Sequence, residues 1–170
     1  MNIYEVGPRD GLQSAAVKLS TEEKVQMIGL LHDAGLNKIE VGSFVHPQRV
    51  PNMADSEDVF REVSGLDCEL GVLVPNKRGL DRAKSVGAKK FNIFLSPSET
   101  FNQNNLGADL KTIFSNYRSM LYGVPKEDIR VYVSHAFGCP IEGKTDTDTL
   151  SEMLSQCAIL GANVVLCDTV

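Results

Sequence analysis

A cation, a carboxylate and a glutamine stand close together near the start of the chain, in Glu5-Val6-Gly7-Pro8-Arg9-Asp10-Gly11-Leu12-Gln13. Arginine can neutralise a developing anion and aspartate can bind a hard metal ion, so this combination indicates an anion- and metal-binding site. Residues 2–6 have the character of a β-strand, which Gly7-Pro8 ends. Arg9 and Asp10 therefore fall at the carboxyl end of a strand, where parallel α/β folds bind ligands. An isolated Arg-Asp pair would be an ordinary turn with a surface ion pair, and the longer motif favours a site.

Glu40 ends the second predicted strand, within an apolar run that includes Ile39 and Val41. A carboxylate in such a setting is costly to bury unless a cation pairs with it. Arg9, at the end of the neighbouring predicted strand, is within reach. The pair is predicted, and both a functional role and a purely structural ion pair are consistent with it.

Further polar residues follow other predicted strands. Asp168 ends the last of them and is followed by Thr169, although an N-cap for a following helix would explain Asp168 equally well. Asn76 is, taken alone, a cap or turn residue. His135 has no second histidine at the spacing of a metal pair, and Cys139 is interpreted as a structural residue of its loop.

The elements that must position these residues alternate between strands and helices. Strands are predicted over residues 2–6, 38–41, 69–74, 91–95, 129–134 and 164–167, and helices over 21–34, 56–63, 76–86, 109–122 and 147–160. Ser20 and Glu23 have the spacing of a capping box. Gly35, Gly87 and Gly161 each stand where a helix ends and a left-handed residue is favoured. The polar stretch 96–105 is predicted to be a long loop that faces substrate or solvent.

This alternation predicts an α/β fold with a parallel sheet covered by helices. No GxGxxG follows the first strand, and polar candidates end several strands, so a (β/α)8 TIM barrel is favoured over an open doubly wound sheet. A complete barrel takes about 250 residues. The 170 residues are therefore predicted to be a single domain, 1–170, that holds roughly the first six β/α units of a barrel.

Composition narrows the functional classes. The chain is 42% hydrophobic and 23% charged, with a net charge of -5 and no basic block, which argues against nucleic-acid binding. No run approaches the roughly 18 apolar residues of a membrane helix, and the start of the chain shows no targeting leader. A cytoplasmic location without membrane contact is predicted. The four cysteines lack metal or disulfide spacing and are interpreted as reduced thiols.

Several motifs together resemble the hydroxymethylglutaryl-CoA lyase family, within the metallolyase superfamily of TIM barrels that also includes isopropylmalate and homocitrate synthases. They are the segment from Glu5 to Gln13, Ser43-Phe44-Val45, Val50-Pro51-Asn52-Met53-Ala54-Asp55, Val74-Pro75-Asn76 and Gly138-Cys139-Pro140-Ile141-Glu142-Gly143. The synthases share Arg-Asp-Gly but typically lack Gly-Pro before it and Gly-Leu-Gln after it. These flanks favour the lyase branch.

The resemblance implies a carbon-carbon lyase that needs Mg2+ or Mn2+ and cleaves 3-hydroxy-3-methylglutaryl-CoA, or a related 3-hydroxyacyl-CoA, to acetyl-CoA and acetoacetate. It implies that Asp10 is a metal ligand, that Arg9 stabilises the enolate, and that Glu40 orients Arg9. It also implies contacts with substrate or water for Arg9, Gln13, Asn76, Ser98, Tyr132, Asp168 and Thr169. Family members are often homodimers, so a homodimer is expected.

Two departures from the family pattern qualify this expectation. Ser14-Ala15-Ala16 stands where members commonly have Asn-Glu-Lys, which points to a related acyl-CoA as an alternative substrate. The family's His-x-His ligands and the cysteine of its glycine-rich loop have no counterpart in the 170 residues. The isolated chain is therefore predicted to bind metal poorly and to be inactive. The alternatives are a Claisen-type synthase and an inactive or partner-dependent remnant.

Overall fold

The computed structural model describes residues 2–161 and 163–168 and divides into two compact units, Met1–Phe91 and Asn92–Val170. Strands and helices alternate along both units, as the sequence pattern predicts. The prediction of a single domain stays a prediction. Thr169 lies outside the described residues, so its predicted substrate contact has no structural description.

The first unit is built on two parallel strands and the helices that follow them. Its elements are α1 (Thr21–Asp33), β1 (Lys38–Ser43), α2 (Ser56–Val63), β2 (Glu69–Leu73) and α3 (Lys77–Ser85). Lys38 of β1 lies opposite Glu69 of β2 at the start of the pair. Apolar side chains bury between the strands and the helices, among them Ile28, Ile39, Val59, Val72 and Leu80. This burial is the main source of stability for such a unit.

The segment before α1 differs from its prediction. The strand predicted over residues 2–6 is reduced to a parallel bridge between Glu5 and Ile39. The N–H of Glu5 donates to Lys38 O at 2.9 Å, and the N–H of Glu40 donates to Glu5 O at 2.8 Å. Pairing ends there because a π-helical turn begins at Gly7. The break is where Gly7-Pro8 predicted it.

Strand β1 contains a bulge. Glu40 pairs with Gly71, whereas Gly42 pairs with Val72, so Val41 is an additional residue on the β1 side. An additional residue of this kind reverses the faces on which all later side chains of the strand lie. The sequence carried no signal for this bulge apart from Gly42 itself.

The helix ends agree in part with their predictions. Ser20 and Glu23 form the predicted capping box at α1, with Ser20 N–H donating to Glu23 Oε2 at 2.7 Å. Gly35 and Gly87 adopt φ angles of 91° and 89°, as a left-handed end requires. The prediction for Gly161 is wrong, because its backbone is extended with φ of -146°. A Cβ there would lie 2.7 Å from Ile129 Cγ2, so the close approach explains the glycine.

The second unit again combines parallel strands with helices. Its elements are β3 (Lys90–Leu95, in this unit from Asn92 onward), α4 (Glu99–Leu106), α5 (Leu110–Met120), β4 (Ile129–Val133), β5 (Gly138–Cys139), β6 (Gly143–Lys144), α6 (Thr147–Leu160) and β7 (Asn163–Leu166). Strands β4 and β7 are parallel, with Tyr132 opposite Val165. Ser134 N–H donates to Leu95 O at 2.9 Å, which joins the ends of β3 and β4.

Residues 96–105 are not the loop that was predicted, because most of them belong to α4. Ser98 caps this helix, its Oγ accepting from Phe101 N–H at 3.1 Å, and Gly107 ends it with φ of 68°. Asn102 is the buried residue of α4. A helix that buries an asparagine instead of an apolar stripe gives no 3.6-residue hydrophobic pattern. For this reason the helix was not predicted from the sequence.

Two findings bear on composition. All four cysteines are free thiols, which agrees with their interpretation as reduced residues. Within residues 2–161 and 163–168, every helix is too short or too polar to cross a membrane.

Candidate functional site

The predicted pairing of Arg9 and Glu40 is present in the first unit. Arg9 Nε donates to Glu40 Oε2 at 2.8 Å. The side chain of Glu40 is 0% exposed and that of Arg9 is 10% exposed. A buried carboxylate is tolerated only when a cation and hydrogen bonds compensate for its lost hydration, and Arg9 supplies both. The ion pair therefore fixes the guanidinium in one orientation.

The π-helical turn Gly7–Gly11 delivers Arg9 to this position. Val6 O accepts from Arg9 N–H at 3.1 Å and from Asp10 N–H at 2.7 Å. The Glu5 carboxylate accepts from Gly7 N–H at 2.6 Å, and a Cβ on Gly7 would lie 2.8 Å from the same oxygen. Glycine at the first position of the turn therefore leaves room for the Glu5 carboxylate to accept this hydrogen bond. Glu5 is also the residue that bridges to β1.

Asp10 lies beside the ion pair and faces solvent. Its Oδ1 accepts from Arg9 Nη1 at 2.7 Å, and its side chain is 64% exposed. One guanidinium therefore stands between a buried carboxylate and an open one. The oxygen chemistry of Asp10 suits Mg2+ or Mn2+. However, the described residues contain no group of three His, Cys, Asp or Glu side chains that could hold a metal. They do not amount to a complete metal site.

Asn52 supports the segment after the turn, a role that was not predicted from the sequence. Its Nδ2 donates to Leu12 O and to Ala15 O, both at 3.0 Å. The backbone carbonyl oxygen of Asn52 in turn accepts a hydrogen bond from Lys24 Nζ at 2.6 Å, and Lys24 is 4% exposed. Asn52 thus links α1 to the residues that follow Asp10. Its place in the Val50-Pro51-Asn52 motif was the available signal.

The other predicted residues of the first unit differ in their surroundings. Gln13 follows the turn, and its Oε1 is buried without a hydrogen-bond partner among the described residues. Asn76 is exposed and caps α3, with Oδ1 accepting from Gly79 N–H at 2.9 Å. Gln13 therefore has an acceptor available to a ligand, whereas Asn76 has a structural use for its side chain.

In the second unit, Ser98 and Tyr132 are both buried. Ser98 is 3% exposed at the start of α4, and Tyr132 is 7% exposed on β4. Asp168 is exposed and lies beyond the end of β7. These three predicted residues thus belong to three separate segments.

Cys139 and Glu142 attach their loop to the start of α4. Cys139 Sγ lies 3.3 Å from Ser98 Oγ, and this hydrogen bond lowers the pKa of the thiol. Glu142 Oε1 accepts from Thr100 N–H at 2.9 Å. Hydrogen bonds from the Thr100 side chain and backbone lower the pKa of Glu142. The contacts agree with the interpretation of Cys139 as a structural residue of its loop.

His135 is more constrained than the sequence indicated. It is 8% exposed and has φ of 58°, an unusual value for a residue other than glycine. Its ring packs edge-on against Phe101, with centroids 4.6 Å apart, and Nδ1 lies 3.5 Å from Ser96 Oγ. The ring therefore packs against the start of α4.

Comparison with known proteins identifies relatives along the whole chain. A family model described as HMGL-like matches residues 1–170. Hydroxymethylglutaryl-CoA lyase of Pseudomonas mevalonii is 35% identical over 100% of this chain and 58% of its own length. The mitochondrial hydroxymethylglutaryl-CoA lyase of Homo sapiens is 36% identical over 100% of this chain and 54% of its own length. The chain thus spans a little over half the length of these relatives.

Solved structures give the same result. The HMG-CoA lyase of Bacillus subtilis matches with a TM-score of 0.92 and 33% identity, over 98% of this chain and 57% of that one. An HMG-CoA lyase of Acinetobacter baumannii, in complex with coenzyme A and 3-methylmalate, matches with a TM-score of 0.89 and 33% identity. The match covers 98% of this chain and 55% of that one. These matches confirm the predicted fold class, an α/β fold of the TIM-barrel type of which the chain holds a part.

Proposed function

Because the chain belongs to the HMGL-like family, we propose that it is part of a divalent-metal-dependent carbon-carbon lyase. The substrate is 3-hydroxy-3-methylglutaryl-CoA or a related 3-hydroxyacyl-CoA, and the products are acetyl-CoA and acetoacetate. The observation that carries the proposal is the buried Arg9–Glu40 pair with the open carboxylate of Asp10 beside it. The hydroxymethylglutaryl-CoA lyases of Pseudomonas mevalonii and Homo sapiens, which share 35% and 36% identity with this chain, support the substrate class.

Arg9 is the proposed electrostatic catalyst. The C3 hydroxyl loses its proton and its oxygen forms the ketone carbonyl of acetoacetate as the bond between C2 and C3 breaks. The electron pair of that bond moves to C2, so that the thioester becomes an enolate, and protonation of C2 then gives acetyl-CoA. A guanidinium held in place before the reaction stabilises that charge without reorganising, an effect often worth about 3–4 kcal/mol per donor. Burial of Arg9 strengthens the interaction because little water screens it.

Glu40 is the proposed positioning residue for Arg9. Its carboxylate binds Arg9 Nε, so the edge of the guanidinium that carries Nε is already engaged. A contact between a carboxylate and one edge of the planar guanidinium restricts the orientation of the guanidinium more than it would restrict the ammonium group of a lysine. The ion pair can serve stability and orientation together.

Asp10 is the proposed protein ligand for Mg2+ or Mn2+ in this chain. A bound divalent cation would supply a Lewis acid for the substrate oxygens. One exposed carboxylate is a weak site for Mg2+, which takes six ligands in octahedral geometry. The 170-residue chain alone is therefore expected to bind Mn2+ weakly and to show no turnover.

Several further residues are proposed to contact the substrate or water. Gln13, Ser98, Tyr132 and Asp168 are assigned substrate or water contacts, and Asn76 is assigned one in addition to its capping role. An acyl-CoA is the proposed partner, and the coenzyme A bound to the Acinetobacter baumannii relative supports it. A homodimer in the cytoplasm, without nucleic-acid or membrane contact, completes the proposal.

The test is an acyl-CoA cleavage assay with the full-length product of the gene and with the 170-residue chain. Each is incubated with Mn2+ and 3-hydroxy-3-methylglutaryl-CoA, and acetyl-CoA and acetoacetate are measured by mass spectrometry. Cleavage by the full-length product alone is expected. Release of free CoA from acetyl-CoA only when a 2-oxo acid is present would establish the synthase alternative. Inactivity of the full-length product with both substrate types would overturn the enzymatic proposal.

A further inference from the structure

The bulge in β1 determines which way Ser43 faces. Side chains of paired residues lie on the same face of a sheet, and successive residues alternate. Gly71 pairs with Glu40 and Leu73 pairs with Ser43, so Glu40 and Ser43 lie on one face. In a regular strand, residues three positions apart would lie on opposite faces. The additional residue at Val41 reverses this relationship.

Gly42 marks the opposite face. A Cβ on Gly42 would lie 2.8 Å from Ser56 Oγ and 2.9 Å from Ser56 Cβ, so this side of β1 is packed against α2. Ser43 therefore points away from the helix, to the face on which Glu40 binds Arg9. Along a strand, the two side chains are separated by about 10 Å or less.

The hydroxyl of Ser43 is buried and unpaired. The residue is 1% exposed, and its Oγ has no hydrogen-bond partner among the described residues. Its backbone N–H, in contrast, donates to Ser56 Oγ at 3.0 Å, and Ser56 Oγ donates to Met53 O at 2.8 Å. A buried polar group without a partner is costly and calls for an explanation. The hydroxyl of Ser56 thus has partners within the chain, whereas none of the described residues bonds the hydroxyl of Ser43.

We propose that Ser43 is a ligand-binding residue whose hydroxyl donates a hydrogen bond to an anionic oxygen of the ligand held by Arg9. The assignment rests on the proposed function, since it takes the ligand to be a short hydroxycarboxylate or its thioester. Arg9 supplies the cation on this face of β1, and Ser43 supplies a neutral donor nearer the carboxyl end of the strand. Gln13 Oε1 is likewise a buried side-chain atom without a hydrogen-bond partner among the described residues, and it is an acceptor that suits the ligand's hydroxyl group.

The test compares three serine variants of the full-length gene product. Ser43→Ala removes the unpaired hydroxyl, Ser56→Ala removes one that bonds the chain, and Ser64→Ala removes an exposed one that donates to Arg61 O. The probe is 3-methylmalate, titrated by calorimetry in the presence of coenzyme A and Mn2+. The melting temperature of each variant is measured without ligand.

The expected results separate ligand binding from stability. Ser43→Ala should keep or raise the melting temperature and weaken 3-methylmalate binding about tenfold. Ser56→Ala should melt about 2–4 °C lower, because it leaves Ser43 N–H and Met53 O unpaired. Ser64→Ala should match the wild type in ligand affinity.

Three outcomes would overturn the assignment. Wild-type affinity in Ser43→Ala would refute the role of Ser43 and leave the proposed function intact. A loss of melting temperature in Ser43→Ala equal to that of Ser56→Ala would show that the hydroxyl has a structural partner. A wild-type protein that binds no 3-methylmalate would refute the proposed ligand class, and the role of Ser43 would be refuted with it.

Discussion

Arg9 Nε lies 2.8 Å from Glu40 Oε2, and neither side chain is more than 10% exposed. The two residues are 31 positions apart in sequence. The contact thus joins the first turn of the chain to β1. It makes the proposed anion site dependent on a long-range ion pair.

The first prediction concerns this pair. The single variants are Glu40→Leu and Arg9→Met. Glu40→Leu should lower the free energy of unfolding by about 3–5 kcal/mol, because the buried guanidinium of Arg9 would lose the buried carboxylate of its pair and keep the exposed one of Asp10. The double variant Arg9→Met, Glu40→Leu should recover most of the loss, since no charge is then buried. Urea unfolding of the wild type, the single variants and the double variant gives the coupling energy. A double variant as unstable as the sum of the single variants would contradict this account.

The second prediction concerns Asn52. Asn52→Ala removes its side-chain hydrogen bonds to Leu12 O and Ala15 O and should cost about 1–3 kcal/mol. Amide exchange should accelerate in residues 12–15. Asn104→Ala, at an exposed position of α4, is the matched control and should change neither quantity. Equal behaviour of the two variants would show that Asn52 does not hold this segment.

The third prediction concerns the close contact between β1 and α2. Gly42→Ala places a methyl group 2.8 Å from Ser56 Oγ, and the strain should cost about 1–3 kcal/mol. Gly29→Ala, inside α1 with open space around it, should be neutral or stabilising by up to about 1 kcal/mol. Thermal unfolding of both variants provides the measurement. A Gly42→Ala protein as stable as the Gly29→Ala protein would argue against close packing of Gly42 on Ser56.

The fourth prediction concerns acid stability. Asp109 accepts a hydrogen bond from the backbone N–H of Thr112, which is the main cause of its lowered pKa, and a second one from the Thr112 side chain. The backbone and side chain of Thr149 lower the pKa of Asp146 in the same way. A carboxyl whose pKa is lower in the folded state stabilises the fold above its unfolded value, about 3.9 for Asp. That stabilisation is lost as the pH falls through the folded pKa.

The variants Asp109→Asn and Asp146→Asn keep an N-cap but cannot titrate. Stability measured by urea unfolding between pH 5 and 2 should therefore fall less steeply in the variants than in the wild type. Identical slopes would show that these two caps do not contribute to the acid dependence.

The sequence predicted those features that depend on local chemistry. The capping box at Ser20, the left-handed glycines at 35 and 87 and the break after Val6 all follow from residue types at fixed spacings. The pairing of Arg9 with Glu40 was also predictable, because a carboxylate in an apolar strand needs a cation. The family resemblance and the barrel fold class are confirmed by the comparisons.

The features that were missed depend on tertiary contacts. Helix α4 has one buried residue, Asn102, and so lacks an apolar stripe. The bulge at Val41 is defined only by its pairing with β2, so no single strand sequence reveals which face Ser43 takes. Gly161 is required by Ile129, which is 32 positions away in sequence, and not by its own φ angle.

The most direct test of the central claim is the effect of Arg9 on kcat in the full-length gene product with 3-hydroxy-3-methylglutaryl-CoA. Arg9→Gln should lower kcat at least about 100-fold, because the enolate loses its cation. Arg78→Gln, at an exposed position of α3, should retain wild-type kcat. Circular dichroism should first establish that both variants are folded. A folded Arg9→Gln variant with wild-type kcat would contradict the account.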